Sequence, residues 1–276
     1  TRYWRDWSSD VCSSDLLKPG SHFLYTGGLG DWRVVARADL NNDGIPDIVF
    51  QNNAGQIYVW CLDGTGATVS GAGSGLKVGV SPHFLYSGGL GDWRVVGCAD
   101  VNGDGNVDLI LQNTSGQIFV WLLDGTGNAV NFATGAGLKP GSKFLYLGSL
   151  GDWRVVGCAD MNGDGIPDLV FQNASGQIFV WLLDGTGATV NFATNAGLKP
   201  GSKFLYINGL GDWRVALCAD VNGDGTNDFV FQNSTGQLFF WPLDGTASTI
   251  NYSTGAGMRP GGKFLYTSGL GDWRLR

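Results

Sequence analysis

Four nine-residue stretches of this chain gather acidic side chains into one repeated pattern, D-x-N-x-D-G-x-x-D. The first runs Asp39-Leu40-Asn41-Asn42-Asp43-Gly44-Ile45-Pro46-Asp47, and the others begin at Asp100, Asp160 and Asp220. Three carboxylates within nine residues repel one another unless a cation stands among them. An oxygen-only donor set suits a hard dication that takes six to eight oxygens at about 2.3–2.6 Å in tolerant geometry. The candidate side-chain ligands are Asp39, Asn41, Asp43 and Asp47; Asp100, Asn102, Asp104 and Asp108; Asp160, Asn162, Asp164 and Asp168; and Asp220, Asn222, Asp224 and Asp228. A main-chain carbonyl at the seventh position, from Ile45, Asn106, Ile166 or Thr226, completes each set. Glycine at the sixth position (Gly44, Gly105, Gly165, Gly225) permits the positive φ that so tight a turn requires.

The expected cofactor is Ca2+, one ion per loop and about four in all. Magnesium demands near-octahedral geometry and keeps its waters, and zinc would want His or Cys, which the loops lack. Asp, Asn and Gly also make ordinary turns without any ion. Retention of all four side-chain ligands in all four copies argues against that plainer reading. An EF-hand frame is excluded, because its twelfth position must be Glu and here carries Phe50, Leu111, Phe171 and Phe231. No GGxGxD series appears, which excludes the calcium-binding β-helix repeat.

The elements that position these loops follow from a repeat. The marker Gly-Asp-Trp-Arg begins at Gly30, Gly91, Gly151, Gly211 and Gly271, a period of 60 or 61 residues. In the third copy, residues 153–158 read as a first strand, 160–168 as the Asp loop and 169–172 as a second strand. A turn at 174–176, a third strand at 177–183 and a fourth at 203–206 complete the copy. Four short strands rich in Val, Ile, Phe and Trp, parted by Gly/Asn/Asp turns, describe one small antiparallel sheet. Ile178-Phe179-Val180-Trp181-Leu182 is apolar on both faces, as a strand sandwiched between layers can be. Sheets stacked radially provide that sandwich, so the expected fold is all-β, a β-propeller of four-stranded antiparallel blades.

Residues 31–90, 91–150, 151–210 and 211–270 are four blade equivalents, with 17–30 and 271–276 as partial ends. Residues 1–16 depart from the repeat and resemble translated sequencing adapter, so they are set aside as a non-native tail. With the abrupt ending Gly271-Asp272-Trp273-Arg274-Leu275-Arg276, this predicts a fragment of a longer bacterial protein whose remaining blades lie elsewhere.

The run WRVVGCADMNGDGIPDLVFQN followed by GQIFVWLLDG resembles the FG-GAP/VCBS-type repeat of integrin α-subunit propellers, bacterial surface proteins and some fungal lectins. The resemblance covers residues 17–276. It implies a parent of seven or eight blades, an extracellular or cell-surface setting, and Ca2+ in the loop joining the first two strands of each blade. The VNFATGAGLKPGS segment lengthens this repeat beyond many bacterial copies, so the loops on that side are not carried over.

Composition narrows the partners. All 24 acidic residues are Asp and none is Glu, which places carboxylates in loops and not on helices. The formal net charge is −7 and no basic stripe occurs, which excludes nucleic acid as a partner. Nor is there an apolar run of about 18 residues to insert in a membrane. His22 and His83 share one position with Lys143, Lys203 and Lys263, so they read as surface residues. No G-x-S-x-G or H-E-x-x-H motif occurs, and the expectation is no enzyme. Cys98, Cys158 and Cys218 fall at one strand position; with Cys61 they read as free, buried or half-buried thiols, and Cys12 lies in the tail. Two Trp series, Trp32/Trp93/Trp153/Trp213 and Trp60/Trp121/Trp181/Trp241, read as core. Tyr25, Tyr86, Tyr146, Tyr206 and Tyr266 are better placed for a ligand, and Asp31, Asp92, Asp152 and Asp212 organise turns or pair with the neighbouring Arg.

The functional expectation is a calcium-binding scaffold for recognition or adhesion outside the cell, with a protein or glycan ligand on a loop face. A carbohydrate-binding lectin and an accessory domain of a secreted polysaccharide-active enzyme are the alternatives.

Overall fold

A computed structural model describes residues 21–70, 73–78, 82–271 and 273–275. The tail at 1–16, Cys12 included, lies outside them. The first blade is β1 (Arg33–Ala38), β2 (Asp47–Gln51), β3 (Ile57–Trp60) and β4 (His83–Tyr86). The second is β5 (Arg94–Ala99), β6 (Asp108–Gln112), β7 (Ile118–Trp121) and β8 (Lys143–Tyr146). Then come β9 (Arg154–Ala159), β10 (Asp168–Gln172), β11 (Ile178–Trp181) and β12 (Lys203–Tyr206). The last blade is β13 (Arg214–Ala219), β14 (Asp228–Gln232), β15 (Leu238–Trp241) and β16 (Lys263–Tyr266). Each group forms one antiparallel four-stranded sheet in sequence order, and the four sheets make a four-bladed propeller.

The strand most enclosed is the second of each blade, not the third. β6, β10 and β14 are buried at every residue, whereas β11 keeps Phe179 half-exposed. The third strand is also shorter than the sequence predicts, ending at Trp181 instead of Leu183. Its next two amides leave the ladder for side chains: Leu182 N donates to Ser202 Oγ at 3.0 Å and Leu183 N to Asp168 Oδ1 at 3.0 Å.

Two register shifts per blade shape the ring. The first strand slips between Val34 and Ala36, and equivalently in later blades, leaving Val35, Val96, Val156 and Ala216 to line an axial cavity of about 650 Å³. The fourth strand slips at Leu85, Leu145 and Leu205, which frees a carbonyl from the ladder. The next blade claims it: Val130, Val190 and Ile250 donate their amides to those carbonyls at 2.6–2.7 Å.

Neighbouring blades meet through apolar seams. Between the second and third, Ile110, Ile118 and Val120 face Leu169, Phe171 and Trp181. First strands approach closely there because Gly97 and Gly157 lack a side chain. A Cβ on Gly97 would fall 2.3 Å from Cys158 Sγ, and one on Gly157 2.2 Å from Cys218 Sγ. The closing side carries an aromatic contact, Phe23 to Trp273 with ring centroids 6.0 Å apart.

A buried glutamine staples each seam. Gln112 at the end of β6 accepts Val155 N–H at 3.0 Å and donates to Trp153 O at 3.1 Å. Gln51, Gln172 and Gln232 repeat the pair of bonds onto the following Trp-Arg-Val or Trp-Arg-Leu segment.

Candidate metal centre

Because β1 pairs with β2 from Arg33 against Gln51 to Ala38 against Asp47, each Asp loop lies at the opposite end of its blade from the glutamine staple. The loop winds on its own amides. Asp160 Oδ1 accepts the N–H groups of Gly163 and Asp164 at 2.8 and 3.1 Å, and its Oδ2 that of Gly165 at 2.7 Å. Asn162 Oδ1 accepts Asp164 N–H at 3.0 Å, and Asp164 Oδ1 accepts Ile166 N–H at 2.9 Å. The sixth-position glycines have φ of 83° to 85°, as the sequence requires. A second left-handed residue, at position four, was not expected: Asn42 at 55° and Gly103, Gly163 and Gly223 at 73° to 79°.

The ninth-position carboxylates, Asp47, Asp108, Asp168 and Asp228, are fully buried and tie the loop to the far side of the blade. Asp168 Oδ2 accepts Met161 N–H and its Oδ1 Leu183 N–H, each at 3.0 Å. Burial pushes Asp108 and Asp168 up to about 7 and Asp47 to about 6, against the pull of these amides. The fifth-position carboxylates move the other way. At Asp104 burial is outweighed by Lys139 and the Asn106 amide, which bring it down to about 2. Each fifth-position Asp meets a basic side chain that sequence reasoning passed over: Lys77 on Asp43 at 2.5 Å, Lys139 on Asp104 at 2.9 Å, Lys199 on Asp164 at 2.7 Å and Arg259 on Asp224 at 3.0 Å. The available signal was a basic residue 34 or 35 positions beyond the fifth-position Asp in every copy, within the lengthening segment.

The donors fit a hard dication in kind, since every candidate ligand offers oxygen and the loop is already wound around them. Their present engagement is with N–H, ammonium and guanidinium groups, and at Asp224 with the Thr226 hydroxyl as well. Among the described residues, no three or more His, Cys, Asp or Glu side chains are gathered closely enough to hold a metal. Neighbouring loops touch: Asn42 Nδ2 donates to Asn106 Oδ1 at 2.7 Å, and Asn227 Nδ2 to Asp160 O at 2.7 Å.

Other singled-out residues fasten the ring. Asp92 accepts the amide and hydroxyl of Thr114, so it organises the turn between β6 and β7. Arg94 does not bond Asp92; it donates to Gly91 O, Trp93 O and, across the seam, Asn53 O. Tyr86, Tyr146 and Tyr206 stack edge-on against Trp121, Trp181 and Trp241 of the next blade at 5.1–5.3 Å. Those three Trp are buried, while Trp32, Trp93, Trp153 and Trp213 are half-buried. His22 and His83 reach the carbonyls of Gly66 and Gly127 at 2.8 and 2.7 Å. Cys61, Cys98, Cys158 and Cys218 are free thiols, buried or half-buried.

Fold and loop together define a β-propeller assembled from Asp-loop repeats. Residues 160–231, from the first Asp of the third loop to Phe231 in β14, match the family model of the FG-GAP-like repeat. No curated protein matches the chain.

Proposed function

We propose that this protein is a non-catalytic, calcium-binding propeller scaffold for recognition or adhesion outside the cell. The observation that carries the reading is the fourfold recurrence of one wound, all-oxygen loop. Asp39, Asn41, Asp43, Asp47 and the Ile45 carbonyl would hold the first ion, and the equivalent residues the other three. Calcium would supply charge neutralisation and pin β1 to β2 in each blade, as β5 to β6 and so on; it has no part in bond making. Loops of this kind in extracellular modules bind at about 10⁻⁴–10⁻³ M, which suits external calcium and not the cytosol. The ligand would meet an aromatic row on the outer loops, where Phe132, Phe192 and Tyr252 are exposed beside Trp121, Trp181 and Trp241. Isothermal titration with calcium tests the reading. Heat that saturates near four ions per chain in the millimolar range is expected, and a flat titration with an unmoved melting curve would overturn it.

A further inference from the structure

The four ion pairs found among the described residues are all of one kind, a basic side chain on the fifth-position Asp. Their recurrence is built by the chain path and not by chance encounter at a surface. Lys77 lies 34 residues beyond Asp43, and Lys199 lies 35 beyond Asp164. Each base sits in the Gly-rich excursion between the third and fourth strands, and its backbone is fixed before its side chain reaches back. Lys77 N donates to Cys61 O at 2.9 Å, Lys139 N to Leu122 O and Lys199 N to Leu182 O at 2.8 Å, and Arg259 N to Pro242 O at 3.0 Å. A tethered base surrenders less freedom on pairing than a long side chain on an open face. The pairs are also sheltered, with the Asp side chains only 11–24% exposed.

Acceptor capacity at the fifth position is nearly spent. Asp164 Oδ1 takes the Ile166 amide, while its Oδ2 takes both Lys199 Nζ at 2.7 Å and Asn162 Nδ2 at 2.8 Å. Asp104 and Asp224 have the same arrangement, with Asn102 and Asn222 donating to Oδ2 beside Lys139 and Arg259. An oxygen with two lone pairs and two donors offers nothing to a third partner. A dication entering the loop must either evict the base from Oδ2 or stand beside it on the same carboxylate, where like charges repel.

We infer that Lys77, Lys139, Lys199 and Arg259 are the resident counter-cations of the four Asp loops, holding each loop closed without metal and limiting how tightly a dication can enter. The limit on a dication rests on the calcium reading above; the closing of the metal-free loop does not. The excursion that lengthens this repeat therefore has a job, which is to deliver one positive charge per loop. The device makes the propeller tolerant of low calcium and keeps its calcium affinity weak.

The test uses the full chain with all four bases replaced (K77M, K139M, K199M, R259M), together with the single variants K199M and K199R. Melting in EDTA reads the metal-free loop, and calcium titration reads the entry of the ion. The fourfold variant is expected to melt about 4–8 °C below the parent in EDTA. Its calcium affinity should be at least tenfold tighter, so that calcium restores what the bases supplied. K199M should show a fraction of both effects, and K199R, which keeps the charge, neither. If the fourfold variant does not fold in EDTA, the K199M and K199R pair decides. Unchanged EDTA melts for both K199M and the fourfold variant would overturn the proposal. Loss of EDTA stability with no calcium binding by any of these proteins would leave the counter-cation role standing and sink the calcium reading.

Discussion

The two ends of each blade hold the ring by different means. At the Gly-Asp-Trp-Arg end, the links between blades go to backbone groups: a buried glutamine gives and takes one hydrogen bond with the next blade, and Arg154 donates back across the seam to Thr114 O. At the Asp-loop end, charge is gathered and balanced mainly within one blade, with Asp164 answered by Lys199 and Asp168 by two local amides. Most bonds between blades therefore end on backbone groups, whereas the shape of each loop depends on what neutralises it.

Breaking the glutamine end should cost most. Gln172→Ala strands the buried Val215 amide, while the Trp213 carbonyl keeps its bond from Arg214, and about 1–3 kcal/mol of unfolding free energy should be lost in urea denaturation. Gly157→Ala attacks the same seam from its packing, because the new methyl group would collide with Cys218 Sγ at 2.2 Å. A loss of about 1–3 kcal/mol is expected. The double variant with Cys218→Ala should recover part of that loss, since the Sγ contact goes while the Cβ of residue 218 stays 3.0 Å from the new methyl group.

At the charged end, Asp168→Asn removes one of two acceptors facing Met161 and Leu183. It also removes a charge whose burial pushes the carboxyl up to about 7, so the two effects oppose. A net loss of about 1 kcal/mol is expected, smaller than at Gln172. The smallest effect concerns Asp212, which the Ser234 hydroxyl and amide hold below its ordinary 3.8. A depressed carboxylate adds stability above pH 3.8 that is lost as pH falls through its own lower value. Asp212→Asn should therefore lower stability slightly at neutral pH and leave it unchanged in strong acid, which flattens the acid side of a stability-versus-pH curve.

Much of this division could be read in the sequence. The 60-residue period, the strand order and the sixth-position glycines were all legible, because periodicity and turn chemistry are local. The third strand ran two residues too far because Leu182 and Leu183 look like strand residues; only their capture by Ser202 and Asp168 takes them out of the ladder. The Tyr series looked free because its partner Trp belongs to the next blade. Asp92 was left between a turn role and a pair with Arg94; it takes the turn, while Arg94 reaches across the seam to Asn53. Lys199 was passed over for the same reason: a pair 35 residues apart is set by the path of the excursion, and only the recurrence of a base in every copy signals it.

The most direct test is a crystal structure of the chain grown in millimolar calcium. The account predicts an ion in each loop at about 2.3–2.6 Å from the side-chain oxygens of positions one, three, five and nine, with the Lys77, Lys139, Lys199 and Arg259 head groups moved off their Asp partners. Loops that hold no ion, with all four basic groups still seated on Asp43, Asp104, Asp164 and Asp224, would contradict it.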